Sequence, residues 1–334
     1  MRCNVNYLIQ VVYRKLKDLL FRIRIISTRA KARRTFPDLS VLITPYFIVC
    51  IPGSLHVVEL CLKFVPSDVD IVLVANGLDA WELGYAREHL RFKATVVIER
   101  MLEHGDVLDI LFDKYPRPFG ILDYDCFVLD PAYFYKMQAI DPKSLANGLF
   151  VYKNETINLE FPETFMVFFN TEAINKIRWA YQVKSIRYKY TSLSPAVKRC
   201  LKTIGVDQTH LPEAHKDYFD TLRLIYSLGY ADGYRFTFLE RYATISNPAY
   251  KAFHVGGISF PGLPKTKWGT RGVYLWRRLL EEHPDTELKE RYWNKYGKFS
   301  AKELLSINAS LAEKIGGEYF DFVETELLGS RAAR

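Results

Sequence analysis

The 334-residue chain reads as an α/β protein, a Rossmann-type mixed sheet flanked by helices. Two observations predict it. Between residues 38 and 131 short apolar runs alternate with helically spaced stretches at the interval a βαβ crossover needs. The composition, 49% hydrophobic and 25% charged, is that of a chain that buries a core, which excludes a disordered protein. No run approaches the roughly 18–20 uncharged apolar residues of a membrane-spanning helix. Cys3, Cys50, Cys61, Cys126 and Cys200 are odd in number and widely scattered. That excludes a disulfide framework and a zinc-knuckle spacing, and it fits a reducing compartment.

The elements follow in order. Residues 7–26 have Leu8, Val11, Val12, Leu16, Leu19, Leu20, Ile23 and Ile26 at three- and four-residue spacing, with Arg14, Lys15, Lys17, Arg22 and Arg24 mostly off that stripe. Such a basic amphipathic helix suits an anionic membrane surface; it would also serve as a helix packed on the body with a solvated outer face. Ten of the 46 Lys and Arg residues, but only two of the 38 Asp and Glu, precede residue 39, so the rest of the chain is neutral. Nucleic-acid enzymes spread basic surface over the folded body, so no nucleic-acid partner is expected. A cleaved signal peptide is not expected either, because charges interrupt every apolar stretch near the start.

Residues 38–46 read as a first strand ending in a polar loop, 54–64 as a helix, and 69–77 as a second strand with a turn. Residues 80–90 are helical, 94–99 a third strand, 106–114 a helix, and 119–130 a fourth strand running into a loop. Ligands of such sheets bind beyond the carboxyl ends of the strands, which puts residues 44–46, 76–77 and 123–125 on one rim. Farther on, 146–152 and 165–170 read as strands and 173–181 as a helix. The polar, basic stretch 184–203 reads as a mobile segment, 216–228 as a helix, and 242–246 and 252–255 as short strands. Residues 256–272 form a Gly-, Pro- and Lys-rich loop, and the remainder two or three helices.

The chemistry concentrates in Ile121-Leu-Asp-Tyr-Asp-Cys-Phe-Val-Leu-Asp-Pro131. An apolar strand ending in Asp123 and Asp125 presents hard oxygen ligands of the kind Mg²⁺ or Mn²⁺ takes, and the ion would in turn bind a diphosphate. Two carboxylates this close repel unless a cation or a proton lies between them. The same pair would also serve as a loop cap. In Ala252-Phe-His-Val-Gly-Gly257, His254 ends a strand just before Gly256 and Gly257 and is an acceptable third ligand, or a core histidine. Lys265 and Lys267 stand on the following loop, able to neutralise a leaving diphosphate.

In this order the motifs resemble the GT-A nucleotide-sugar glycosyltransferases, in particular the family 8 pattern of glycogenin and lipopolysaccharide galactosyltransferase. Asp123-Tyr-Asp125 matches that family's Asp-x-Asp; His254-Val-Gly-Gly257 with Lys265, Lys267 and Trp268 approximates its His-x-x-Gly-x-x-Lys-Pro-Trp loop. Phe168-Phe-Asn-Thr-Glu172 occupies the place of its Phe-Asn-Ser-Gly, with Asn170 matching. The resemblance implies a GT-A-like catalytic domain over 38–270, divided into a nucleotide-binding half (38–131) and an acceptor half (132–270). Around it lie a basic N-terminal segment (1–37) and a C-terminal helical appendage (271–334). It further implies a nucleotide-sugar donor, a UDP-sugar in the first instance, whose diphosphate lies on Mn²⁺ or Mg²⁺ held by Asp123, Asp125 and His254. Thr44, Tyr46 and Asn76 would contact base or ribose, and Asn170, Gly257, Lys265 and Lys267 would complete the donor site.

Asp217 and Asp220, on the helix expected over 216–228, would orient or deprotonate an acceptor hydroxyl, with Glu213 and His215 weaker candidates; a solvated helix face is the plainer alternative. The expected protein is a metal-dependent glycosyltransferase acting on a glycan or glycolipid, cytoplasmic and peripheral to the inner face of a membrane through residues 7–34. Its nearest rival, a sugar-phosphate nucleotidyltransferase, carries a basic Gly-rich loop after its first strand, whereas residues 44–53 hold no Arg or Lys. A non-catalytic scaffold with the same fold is the other alternative.

Overall fold

The computed structural model describes residues 3–154, 157–213, 217–239, 252–256, 267–296 and 323–329. Helix α1 (Cys3–Arg34) outruns the predicted 7–26 and ends on Lys31, Arg33 and Arg34, where cations meet the negative end of the helix dipole. The first strand begins where it was expected to end: β1 is Tyr46–Cys50. Val41 and Ile43 are 84% and 69% exposed, and Pro45 has no N–H for a ladder, so the apolar run before it is connection. Then come α2 (Leu55–Lys63), β2 (Ile71–Asn76), α3 (Ala80–His89), β3 (Ala94–Ile98) and α4 (His104–Lys114), close to their expected bounds, and β4 (Phe119–Leu122). Asp79 and Glu82 close a reciprocal capping box at the start of α3.

The strand expected over 119–130 is broken at Asp123, and β5 (Cys126–Val128) resumes after a turn. Next are α5 (Ala132–Gln138), β6 (Ser144–Gly148), β7 (Val151–Asn154), β8 (Leu159–Pro162), β9 (Met166–Phe169) and α6 (Thr171–Tyr181). The stretch expected to be mobile forms β10 (Tyr188–Lys189) and α7 (Pro195–Lys202), whose Val197 and Leu201 are buried. The chain continues through β11 (Tyr218–Phe219), α8 (Arg223–Ala231), β12 (Arg235–Phe238), β13 (Ala252–His254), α9 (Lys267–Glu281), α10 (Thr286–Tyr296) and a π-helical turn (Val323–Leu328). The strand expected at 242–246 lies outside the described residues.

The central sheet has seven strands in the order β12-β6-β9-β4-β1-β2-β3, and β9 alone runs against the others. Strand alternation splits the side chains between two cores. Tyr46, Ile48, Ile71 and Leu73 face α2, α3, α5, α9 and α10, whereas Phe47, Val72, Val74 and Ile121 face α4, α6, α7 and α8. The result is three layers, helix, sheet and helix. From β1 the chain steps outward to β2 and β3, then returns across the sheet to pair β4 with the other side of β1. The strand order therefore reverses between β1 and β4, which is where an open α/β sheet leaves a crevice at its carboxyl rim.

Candidate functional site at the β1 and β4 rim

Both walls of that crevice are built by turns. After β4, the Cys126 N–H donates to the Asp123 carbonyl at 2.9 Å, closing a four-residue turn that projects Asp123 and Asp125. Residues 126–128 then pair antiparallel with β13, placing His254 opposite Cys126, and the Val255 N–H donates to the Asp125 carbonyl at 3.0 Å. This pairing carries a residue from far down the sequence onto the acidic turn. His254 Nε2 lies 3.3 Å from Asp125 Oδ1, with both side chains about nine-tenths buried. One ligating atom each from Asp123, Asp125 and His254 falls within 4.8 Å of the others.

Phe165 supports the group from one side. Its carbonyl accepts from the Asp123 N–H at 2.7 Å, and its ring stacks on His254 with centroids 3.4 Å apart. Beneath the turn, Cys61 is buried, and loss of water, followed by the charges of Asp125 and Asp123, pushes its thiol up, so it stays neutral. Loss of water, and next the charge of Asp125, raises the Asp123 carboxyl well above the ordinary carboxylate range. Two carboxylates and an imidazole whose donor atoms converge, one carboxyl resisting ionisation beside the other, fit a divalent cation.

The other wall is the loop after β1, Ile51-Pro-Gly-Ser54. Gly53 is gripped from both sides: its N–H donates to Glu82 Oε1 at 2.7 Å, and its carbonyl accepts from Trp276 Nε1 at 2.6 Å. The Tyr292 hydroxyl donates to the same Glu82 oxygen at 2.9 Å, and His56 Nε2 donates to the Trp276 carbonyl at 3.0 Å. Gly53 has φ +86°, and a Cβ there would lie 2.7 Å from the Tyr296 ring. Ser54 Oγ reaches the Tyr124 hydroxyl at 3.3 Å, joining this wall to the middle residue of the acidic turn. Gly53, Ser54, Glu82, Tyr124, Phe165 and Trp276 were not among the expected site residues. Only the Pro-Gly of the loop and the Asp-x-x-Glu of the capping box carried a sequence signal.

Several expected residues stand elsewhere. Tyr46 opens β1, so it and Thr44 are at the amino edge of the sheet, opposite the rim. Tyr46 is fully buried with its hydroxyl on the Phe134 carbonyl, and the Thr44 carbonyl accepts from Gln138. Asn76 does end β2 on the rim, yet both its amide atoms bind the backbone of Leu102, at 2.9 and 2.8 Å. Asn170 follows the antiparallel β9, which turns it to the amino edge of β4, and it caps α6 through the Ala173 N–H. Asp217 and Asp220 are on no helix, because α8 starts only at Arg223. Asp217 is exposed, 3.8 Å from Lys189, and Asp220 is 3.1 Å from Arg187. Glu213 is buried 2.9 Å from Arg223 Nε. Lys267 opens α9 instead of lying on a loop; Gly257, Lys265 and His215 lie outside the described residues.

The family match reaches across the acidic turn. Residues 29–174 match the StrH glycosyltransferase N-terminal domain. Within the chain, 105 residues are 27% identical to the dTDP-dihydrostreptose--streptidine-6-phosphate dihydrostreptosyltransferase of Streptomyces griseus, covering 31% of this chain and 27% of that protein. The chain thus spans about a quarter of that relative's length. The StrH match and this relative support a sugar-transferring enzyme; neither points to family 8. Among solved structures, the glycosyltransferase GlyE of Streptococcus pneumoniae is similar over 80% of this chain and 64% of its own, at 11% identity and a TM-score of 0.38. A cytidylyltransferase of Leptospira borgpetersenii is similar over 80% of this chain and 95% of its own, at 12% identity and a TM-score of 0.35.

Proposed function

We propose that this chain transfers a sugar from a nucleoside diphosphate donor to a glycan or glycolipid acceptor, with a divalent cation, Mn²⁺ or Mg²⁺, at Asp123, Asp125 and His254. The observation that carries the reading is the meeting of those three side chains on one turn at the strand-order reversal. A cation bound there supplies positive charge against the departing diphosphate. The chain's own part is positional. The turn closed by Cys126 aims the carboxylates, Phe165 holds the imidazole plane, and the Gly53 loop forms the facing wall. The name of the Streptomyces griseus relative makes dTDP-sugars the donors to try beside UDP-sugars.

The test is a donor screen with the full chain, following release of nucleoside diphosphate with and without Mn²⁺. Metal-dependent release from one donor, lost in Asp125→Ala without a drop in melting temperature, is the expected result. Near-normal turnover in both Asp123→Ala and Asp125→Ala would remove the basis of the proposal. Release of pyrophosphate from a nucleoside triphosphate and a sugar phosphate would favour the nucleotidyltransferase instead; the β1 loop, without Arg or Lys, speaks against that outcome.

A further inference from the structure

The last turns of helix α1 carry its ion pairs to the body. Arg29 pairs with Asp106 in the first turn of α4, Lys31 with Glu99 just past the carboxyl end of β3, and Arg33 with Asp113 in the last turn of α4, at 2.7 Å. Because α4 begins at the carboxyl rim and ends at the opposite edge, α1 descends from rim to opposite edge along its docked part. The helix before Arg29 therefore projects on the rim side, the side of the acidic turn. Residues 3–24 alone add about 33 Å of helix at 1.5 Å per residue.

Five of the six exposed large apolar side chains on the described part of α1 share a direction, Phe21 being the exception. Leu16, Leu19, Leu20, Ile23 and Ile26 are 45–63% exposed. At about 100° per residue they form a row some 120° wide. Ile25, Thr28 and Ala32, which are turned toward the body, lie roughly opposite that row, so it cannot be the packing face. Arg22 and Arg24, both exposed, flank the row on its two sides. Along its whole length α1 carries nine Lys and Arg residues against the single Asp18. A second copy packed row to row would bring these like-charged flanks together, whereas an anionic bilayer takes both the apolar row and the cations.

We infer that α1 seats the protein on an anionic lipid surface with the carboxyl rim toward the bilayer, so that the acceptor is carried on that membrane. The acceptor clause rests on the proposed sugar transfer; the seating does not. On vesicles of phosphatidylcholine with 30 mol% phosphatidylglycerol the full chain co-sediments, and binding to phosphatidylcholine alone is at least tenfold weaker. Leu19→Glu/Ile23→Glu lowers binding at least tenfold, and Arg22→Glu/Arg24→Glu lowers it and flattens its salt dependence, with melting temperatures unchanged because these side chains are exposed.

Orientation is read with a spin label, in a Cys3→Ser/Cys200→Ser background, at Met101→Cys on the rim side and at Ile43→Cys on the opposite edge, both positions exposed. On the vesicles, the label at position 101 is the closer to lipid. Equal binding to neutral and anionic vesicles, unchanged binding of the double variants, or a dimer that dissociates in Leu19→Glu/Ile23→Glu without any vesicle binding would overturn the seating. A label at position 43 as close to lipid as that at 101 would overturn the orientation. Vesicle binding as expected without turnover of any nucleotide-sugar would leave the seating and remove the proposed activity.

Discussion

Replacing Gly53 by Ala tests whether the β1 loop is held in the geometry described. An alanine at φ +86° carries a backbone penalty of about 1–2 kcal/mol. Its Cβ would meet three atoms of the Tyr296 ring at 2.7, 3.0 and 3.1 Å, and moving that ring adds about 1–2 kcal/mol of overpacking. The loop cannot slide away cheaply, because Glu82 and Trp276 hold the two faces of the same residue. The expected loss is about 2–4 kcal/mol. Urea unfolding followed by tryptophan fluorescence suits the measurement, since Trp276 touches the altered residue.

Gly84→Ala is the matched control: it lies within α3 with nothing within 4 Å of an added Cβ, and should stabilise by about 0.5–1 kcal/mol. Adding Tyr296→Ala to Gly53→Ala should recover the steric share and leave the backbone share, a coupling of about 1 kcal/mol or more. A Gly53→Ala loss below about 0.5 kcal/mol, or no coupling to Tyr296, would refute the two-sided clamp.

The remaining predictions are brief. In thermal unfolding at pH 7, saturating Mn²⁺ should raise the melting temperature of the full chain, and Asp125→Asn should abolish the rise; at a hundredfold excess over Kd the gain is about 2.7 kcal/mol. His254→Gln should weaken the Mn²⁺ effect with little change in metal-free stability, whereas a loss of stability alone would make the residue a packing element. His104, pushed down to about 4 by loss of water, should stay neutral in the fold while the unfolded chain takes up a proton near pH 6.5. Stability should therefore fall as pH drops from about 6.5 toward 4, by at most about 3 kcal/mol and less with solvent screening, and His104→Asn should remove that part. Arg223 lies buried within 2.9 Å of Glu213 and 2.8 Å of Glu163, so Arg223→Met should cost about 3–5 kcal/mol by stranding both carboxylates, measured as a lowered urea midpoint.

The first half of the fold was legible because its strands and helices bury whole faces, as β2 does with every residue from Ile71 to Asn76. The first strand was misplaced because apolarity alone cannot tell exposed Val41 and Ile43 from buried Phe47 and Ile48. Asp123 and Asp125 could be read as metal-ligand chemistry from their spacing. Their junction with His254 depends on the antiparallel pairing of two three-residue strands, which no periodicity reveals. Polar residues at strand ends were the least readable. Asn76 and Asn170 look like ligand contacts, but each spends its amide on neighbouring backbone. The helix expected over 216–228 begins only at Arg223, which leaves Asp217 and Asp220 on the connection before it.

The grip of Trp276 on Gly53 also has a consequence for the newborn chain. Asp123 and Asp125 leave the ribosome well before His254, and the helix that fastens the facing wall comes later still. At about 5–20 residues per second, the interval between Asp125 and Trp276 is roughly 8–30 s. During that interval the parallel strands can pair, but the acidic wall waits for its imidazole and the facing wall for its Trp276 clasp. Ribosome-stalled chains ending before residue 252 should therefore lack the Mn²⁺ response of the released protein, even where β1 to β4 have already become resistant to protease.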